Sequence, residues 1–189
     1  MYYLSQPLPR MIQFVLNDVE SPAYYLLLRG WSSVFSNLPA ATAALSLVLE
    51  GLAVALLYRF GRALMDYRFA VVAVALYGVS YSSIYFSAES RPYALLLVAS
   101  LSSCTALVRL LQGGRSPGRY WVEYLAASAV GLYTHYPFLV VLYAQNIAVF
   151  CLIRLGWRAL PPSRWVLAQV GLMVGYLPVW PFFLDRLSG

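Results

Sequence analysis

Six apolar runs, each near 20 residues long, follow one another along most of this chain with only short polar interruptions. They lie approximately from Pro39 to Arg59, Phe69 to Ala88, Pro92 to Leu111, Tyr120 to Tyr136, Pro137 to Arg154 and Arg164 to Leu184. A helix of about 20 residues crosses the roughly 30 Å hydrocarbon core of a bilayer, and it satisfies its own backbone there without water. The runs therefore predict an all-α fold, a polytopic membrane helix bundle of about six transmembrane helices. Composition agrees: 61% of the residues are hydrophobic and 11% charged, against roughly 45–50% apolar in a soluble domain. The loops "QGGRSPGR" at 112–119 and "GWRALPPSR" at 156–164 punctuate the runs. Neither a repeat nor a domain boundary is visible, so 1–189 reads as a single transmembrane domain, with 1–37 an outer-side loop and interfacial helix and 38–189 the transmembrane helices. The start, "MYYLSQPLPR", has no basic and apolar regions in the order of a cleavable signal.

A seventh run, "PAYYLLLRGWSSVF" at 22–35, is shorter and carries Arg29 in its middle. As a helix it spans only about 21 Å, too little for the core. An interfacial or re-entrant helix fits both its length and its charge.

All 13 basic residues are arginines, scattered singly or in pairs between apolar runs. That pattern orients a chain in a bilayer and does not make a nucleic-acid surface. Following the six spans in order, one side collects Arg59, Arg62, Arg68, Arg109, Arg115, Arg119, Arg154, Arg158 and Arg164, and the other keeps Arg10, Arg29, Arg91 and Arg186. The positive-inside rule makes the first side cytoplasmic. Asp18, Glu20, Glu89, Arg91, His135 and Asp185 then face the outside.

On that outer side three helices are expected to begin at proline, where the missing N–H costs nothing: Pro22, Pro92 and Pro137. Ionisable residues precede each one, in "DVESP", "ESRP" and "THYP". Helix N-termini attract anions, and Arg91 strengthens one of them. A phosphate or pyrophosphate at the outer surface is the chemistry this favours. Asp18, Glu20 and Glu89 would supply carboxylates for proton transfer or hydroxyl binding, and His135 another titratable group. Plainer readings stand beside each. Glu89 and Arg91 can be an interfacial ion pair, His135 a polar loop residue, and Asp18 and Glu20 charges ahead of a helix capped by Ser21. Tyr77, Tyr81 and Tyr85 sit at helical spacing and read as packing residues. Glu50 is an intramembrane carboxylate without an evident partner or role. Asp66, Glu123, Asp185 and Arg186 read as flanking charges. Cys104 and Cys151 lack metal-like spacing and read as thiols without a role.

Three motifs carry a family resemblance. "DVESPAYYLLLRGW" resembles the Asp-x-His-Pro-Pro-Leu-Tyr-Tyr-Leu-Leu-Leu segment of bacterial membrane glycosyltransferases of the protein O-mannosyltransferase type, family 39 of the GT-C superfamily. "SAESRPYALLL" is similar to their Glu-Ala-Arg-Pro-Tyr-Ala-Leu segment, and "LYTHYPFLVVLYAQ" to their Thr-His-Tyr helix start. The motifs occur in the family's order and spacing over nearly the whole chain. The departures are that the family's His-Pro-Pro is here Glu20, Ser21, Pro22, and that its first helix and the Asp-Glu pair with the presumed catalytic aspartate would precede residue 1. The chain is thus expected to be a fragment, inactive alone.

The resemblance implies transfer of a sugar from a polyprenyl-phosphate donor to an acceptor hydroxyl at the outer membrane face, with inversion. The expected partners are membrane lipid and the polyprenyl-phosphate sugar, with no nucleic acid; no cofactor or metal site is assigned. Glu89, Arg91, Tyr93 and His135 are the expected substrate-binding residues, with Arg91 on the departing phosphate. Asp18 and Glu20 are the catalytic candidates within the chain. Two rivals remain: a transporter-like bundle using the same charges as an ion route, and a non-catalytic membrane scaffold. The gathering of ionisable residues at one surface, away from the midplane, favours the transferase.

Overall fold

The computed structural model describes residues 6–17, 22–35, 38–80, 91–113, 116–157 and 160–180, and among these all regular structure is helical. The helices are α1 (Leu8–Asn17), α2 (Pro22–Val34), α3 (Pro39–Leu64), α4 (Tyr67–Gly78), α5 (Tyr93–Leu111), α6 (Pro117–Leu132), α7 (Phe138–Arg154) and α8 (Pro162–Tyr176). Two are long and apolar enough to cross a membrane: Ala40–Leu64 within α3 and Tyr93–Leu111, each with mean hydropathy 2.0. The other four helices that fall on predicted spans have 12, 16, 17 and 15 residues. The predicted span from Phe69 to Ala88 is described only as far as Ser80, and Tyr81 and Tyr85 lie outside the described residues.

Residues 8–17, expected as loop, form a helix instead. Met11 and Val15, one turn apart, are buried while Arg10 and Gln13 are exposed, so α1 is amphipathic and its period of about four replaces the long apolar run of a span. Arg29 of α2 explains how α1 is held: its Nη1 donates to the Gln6 carbonyl at 2.7 Å and approaches Met11 Sδ at 3.8 Å. The charge in the middle of the short α2 therefore has an internal partner.

Leucines and aromatic residues such as Leu49, Leu107, Phe138 and Leu142 form the core, but the surface differs from that of a water-soluble bundle. Leu47, Val48, Val71, Val72, Leu76, Val140, Leu167, Val170 and Val174 are exposed, whereas Ser46, Ser103, Ser128, Thr134 and Gln145 are buried. Apolar side chains outward and small polar ones inward suit lipid, where helices associate through close packing and interhelical hydrogen bonds because the hydrophobic effect does not separate helix from solvent. The buried face of α5 includes Leu95, Ala99, Ser103, Ala106 and Leu110, with the small residues in the middle and a leucine at either end. At the α3–α4 hairpin, a Cβ on Gly61 would stand 2.8 Å from the Ala70 Cα, so the glycine is what permits the approach.

A connected set of side chains ties α5 to α8. Gln145 donates to Ser103 Oγ at 3.0 Å and accepts from Tyr124 Oη at 3.2 Å; Gln169 donates to Tyr124 Oη at 2.9 Å. Asn146 donates to Gln169 Oε1 at 3.1 Å and accepts from Trp165 Nε1 at 2.9 Å. Four helices thus share one chain of neutral hydrogen bonds, which fixes their rotation about their own axes.

Long-range bonds also define the two ends of the bundle. Gln112 Nε2 donates to the Ala63 carbonyl at 2.6 Å and Trp157 Nε1 to the Leu111 carbonyl at 2.8 Å. They gather the C-termini of α3, α5 and α7 at the arginine-rich end. At the opposite, arginine-poor end, Ala23 N–H donates to the Tyr133 carbonyl at 2.8 Å and Tyr133 Oη to the Gly175 carbonyl at 2.5 Å. The helices alternate in direction as the arginine pattern requires.

Candidate functional site

The arginine-poor end is organised by the turn between α6 and α7. Thr134 and His135 both donate backbone N–H groups to the Gly131 carbonyl, at 3.1 and 3.2 Å, and Phe138 N–H donates to the His135 carbonyl at 3.1 Å. Thr134 is fully buried, its Oγ1 bonded to the Val130 carbonyl at 2.6 Å. Phe138, also fully buried, packs where a Cβ on Gly131 would be, 2.3 Å from the ring. "GLYTHYPF" is thus a rigid corner built around a glycine that no larger residue can replace without moving the ring.

Two other helix starts meet this corner. Pro22 begins α2, and the next residue, Ala23, donates to Tyr133 as described. Tyr93, the first residue of α5, sets its ring edge-on to His135 at 5.8 Å between centroids, and Tyr136 flanks the same imidazole at 4.7 Å. Arg91 is exposed, two residues before the start of α5. The structure therefore brings together Tyr93, His135 and the starts of α2, α5 and α7, with Arg91 at their edge. Asp18, Glu20 and Glu89 lie outside the described residues, as do Ser21, Asp185 and Arg186.

Burial pushes the His135 imidazole below its ordinary pKa of 6.5, and its Nδ1 is buried without a hydrogen-bond partner. A neutral ring held this way can accept a hydrogen bond or a proton. It is not a standing cation, so Arg91 carries the positive charge here.

Proline turns out to mark helix starts at both ends. Pro39, Pro117 and Pro162 also open helices, and the last two do so at the arginine-rich end. Proline is punctuation throughout this chain, and what distinguishes the arginine-poor end is the convergence of three starts on one corner.

Below Tyr93 lies a cavity of about 290 Å³ between α3, α4 and α5, lined by Glu50, Tyr77, Tyr93, Ala94, Leu96, Leu97 and Ser100. Glu50, buried in α3 about 16 Å along the helix from Pro39, accepts a hydrogen bond from Tyr77 Oη. Sequence reasoning left Glu50 without a partner and took Tyr77 for packing. The two stand 27 positions apart, and only the α3–α4 hairpin brings them together. Of the acids read as flanking charges, Asp66 caps α4 by accepting from Phe69 N–H at 2.9 Å, and Glu123 pairs with Arg59 at 3.7 Å. Cys104 receives a contact from Gln145 at 3.2 Å, and Cys151 is exposed. Among the described residues no three His, Cys, Asp or Glu side chains cluster as metal ligands would.

A guanidinium beside a helix start, a neutral histidine and an apolar cavity below them suit an amphiphile with an anionic head. No curated protein and no solved structure matches the chain. Residues 19–182, however, match the sequence profile of the dolichyl-phosphate-mannose-protein mannosyltransferase family, a span that takes in the second and third motifs whole and the first from Val19 onward. The chain therefore belongs to that family of membrane glycosyltransferases of the GT-C type.

Proposed function

We propose that the arginine-poor end faces the extracytoplasmic side and binds a polyprenyl-phosphate-linked sugar, whose glycosyl group passes to an acceptor hydroxyl. The observation that carries this reading is the convergence of Tyr93, beside Arg91, with His135 and the start of α2 at one corner. The arginine asymmetry supports the sidedness, and the alternating directions of the helices support six crossings of the bilayer.

In the proposed reaction a carboxylate base takes the acceptor proton while the acceptor oxygen attacks the anomeric carbon. The bond from that carbon to the phosphate oxygen breaks on the opposite face, and the phosphate leaves with the electron pair. Arg91 stabilises the charge that develops on the phosphate, and Tyr93 and neutral His135 orient it. Asp18 and Glu20 bind or deprotonate hydroxyls, and Glu89 positions Arg91 or binds sugar. The cavity floored by Glu50 and Tyr77 accommodates part of the donor. A transporter would need a titratable relay through the middle of the bundle. The hydrogen-bond chain found there is made of amides, hydroxyls and an indole, and Glu50 is the sole buried acid among the described residues.

The test is binding and turnover with a panel of polyprenyl-phosphate sugars by the detergent-purified protein. Donor should raise the unfolding temperature, and Arg91→Ala should weaken the apparent affinity about tenfold or more, the worth of a hydrogen bond to a charged group. Equal affinities in the two proteins would refute the assignment of Arg91 to the phosphate.

A further inference from the structure

At the arginine-rich end, a second cavity of about 500 Å³ opens between α3, α5 and α6, lined by Tyr58, Arg59, Arg62, Thr105, Arg109, Arg119, Tyr120 and Glu123. We infer that it is a binding site for a phosphate-bearing anion, distinct from the donor site at the other end.

Charge is the first argument. Four guanidiniums border the cavity and one carboxylate opposes them, Glu123, which is engaged with Arg59 at 3.7 Å. Arg62, Arg109 and Arg119 have no acidic partner among the described residues. Like charges drawn from three helices into one concavity repel, and an anion relieves that repulsion.

Helix position is the second, and it separates this cluster from ordinary interfacial arginines. Arg62 and Arg109 lie in the last turns of α3 and α5, where the negative end of the helix dipole accounts for a cation. Arg119 lies in the first turn of α6, where the dipole disfavours one. An anion held by Arg119 and the α6 N-terminus together offsets that cost. The Gln112–Ala63 bond at 2.6 Å fixes the α5 end against the α3 end, so the guanidiniums are presented by a preformed frame.

The remaining lining suits the same ligand. Tyr58 and Tyr120 offer hydroxyl donors, and guanidinium forks match phosphate oxygens. At about 500 Å³ the cavity exceeds what a single phosphate fills and lies in the range of small-molecule sites. An anionic phospholipid headgroup and a soluble phosphate compound share this chemistry, and basic pockets between membrane helices take such headgroups.

The test measures thermal stabilisation and retained ligand by native mass spectrometry. The detergent-purified protein is titrated in parallel with cardiolipin, phosphatidylglycerol, phosphatidylcholine and inorganic pyrophosphate. The prediction is that an anionic ligand binds, phosphatidylcholine does not, and the triple variant Arg62→Gln, Arg109→Gln, Arg119→Gln loses about 100-fold in affinity, about fivefold per arginine. Stabilisation by the lipids alone identifies a headgroup, and stabilisation by pyrophosphate identifies a soluble ligand; either supports the site. Glu123→Gln, which removes the competing carboxylate, should tighten binding severalfold and keeps the test decisive if the triple variant does not fold. Arg154→Gln with Arg164→Gln, outside the cavity, should leave affinity unchanged. Binding that is equal for phosphatidylcholine, or unaltered in both cavity variants, would overturn the proposal.

Discussion

The two ends of this bundle are held by different means. At the arginine-poor end, the α6–α7 corner is fixed by backbone hydrogen bonds, a buried threonine and a phenylalanine seated on a glycine, and its histidine is kept neutral. At the arginine-rich end, exposed and half-buried guanidiniums surround a single carboxylate, and a side-chain amide tethers the helix ends. Close packing specifies geometry to a fraction of an ångström, as positioning a reacting group demands. Exposed charges on long side chains specify sign and approximate place, enough to hold an anion. The difference supports assigning the positioning role to the poor end and the anchoring role to the rich end.

Substitutions at the two ends can break that comparison. The largest effect is expected for Gly131→Ala, because the added methyl would lie 2.3 Å from a fully buried ring; overpacking of this kind costs about 1–3 kcal/mol. Equilibrium unfolding in detergent should show that loss. At the other end, Gln112→Ala removes one tether and should cost about 1 kcal/mol. Glu123→Gln removes a half-buried ion pair 3.7 Å long and should change stability by about 1 kcal/mol or less, less at high salt. A Glu123→Gln loss as large as that of Gly131→Ala would erase the distinction.

The smallest expected effect concerns His135 and pH. Its folded pKa lies below the unfolded value of 6.5, so on acidification the unfolded chain takes up the proton first. The stability from keeping the ring neutral is full above pH 6.5 and declines as pH falls through that value toward the folded pKa. Unfolding curves of the native protein should weaken in that window more than those of His135→Asn. Parallel pH dependence in the two proteins would sink the assignment of a neutral buried ring.

The apolar runs made the helices legible, since long continuous hydrophobicity has few structural solutions. They hid α1, whose burial follows an amphipathic period at Met11 and Val15. Gln145, Asn146 and Gln169 look like isolated blemishes within apolar sequence, and their shared hydrogen bonds depend on how four helices are rotated. The same is true of Glu50 and Tyr77. At the site, "THYP" was legible as a turn, and Arg91 and Tyr93 as a helix start. What the sequence could not supply was the role of Gly131, whose meaning lies in the ring packed against it seven residues later.

The most direct test of the central claim is photo-crosslinking with a polyprenyl-phosphate sugar that carries a diazirine near the phosphate, followed by peptide mapping. The account predicts labelling at residues 91–93 and 133–137, reduced in Arg91→Ala, with none at 58–62 or 119–123. Labelling confined to the arginine-rich end would contradict it.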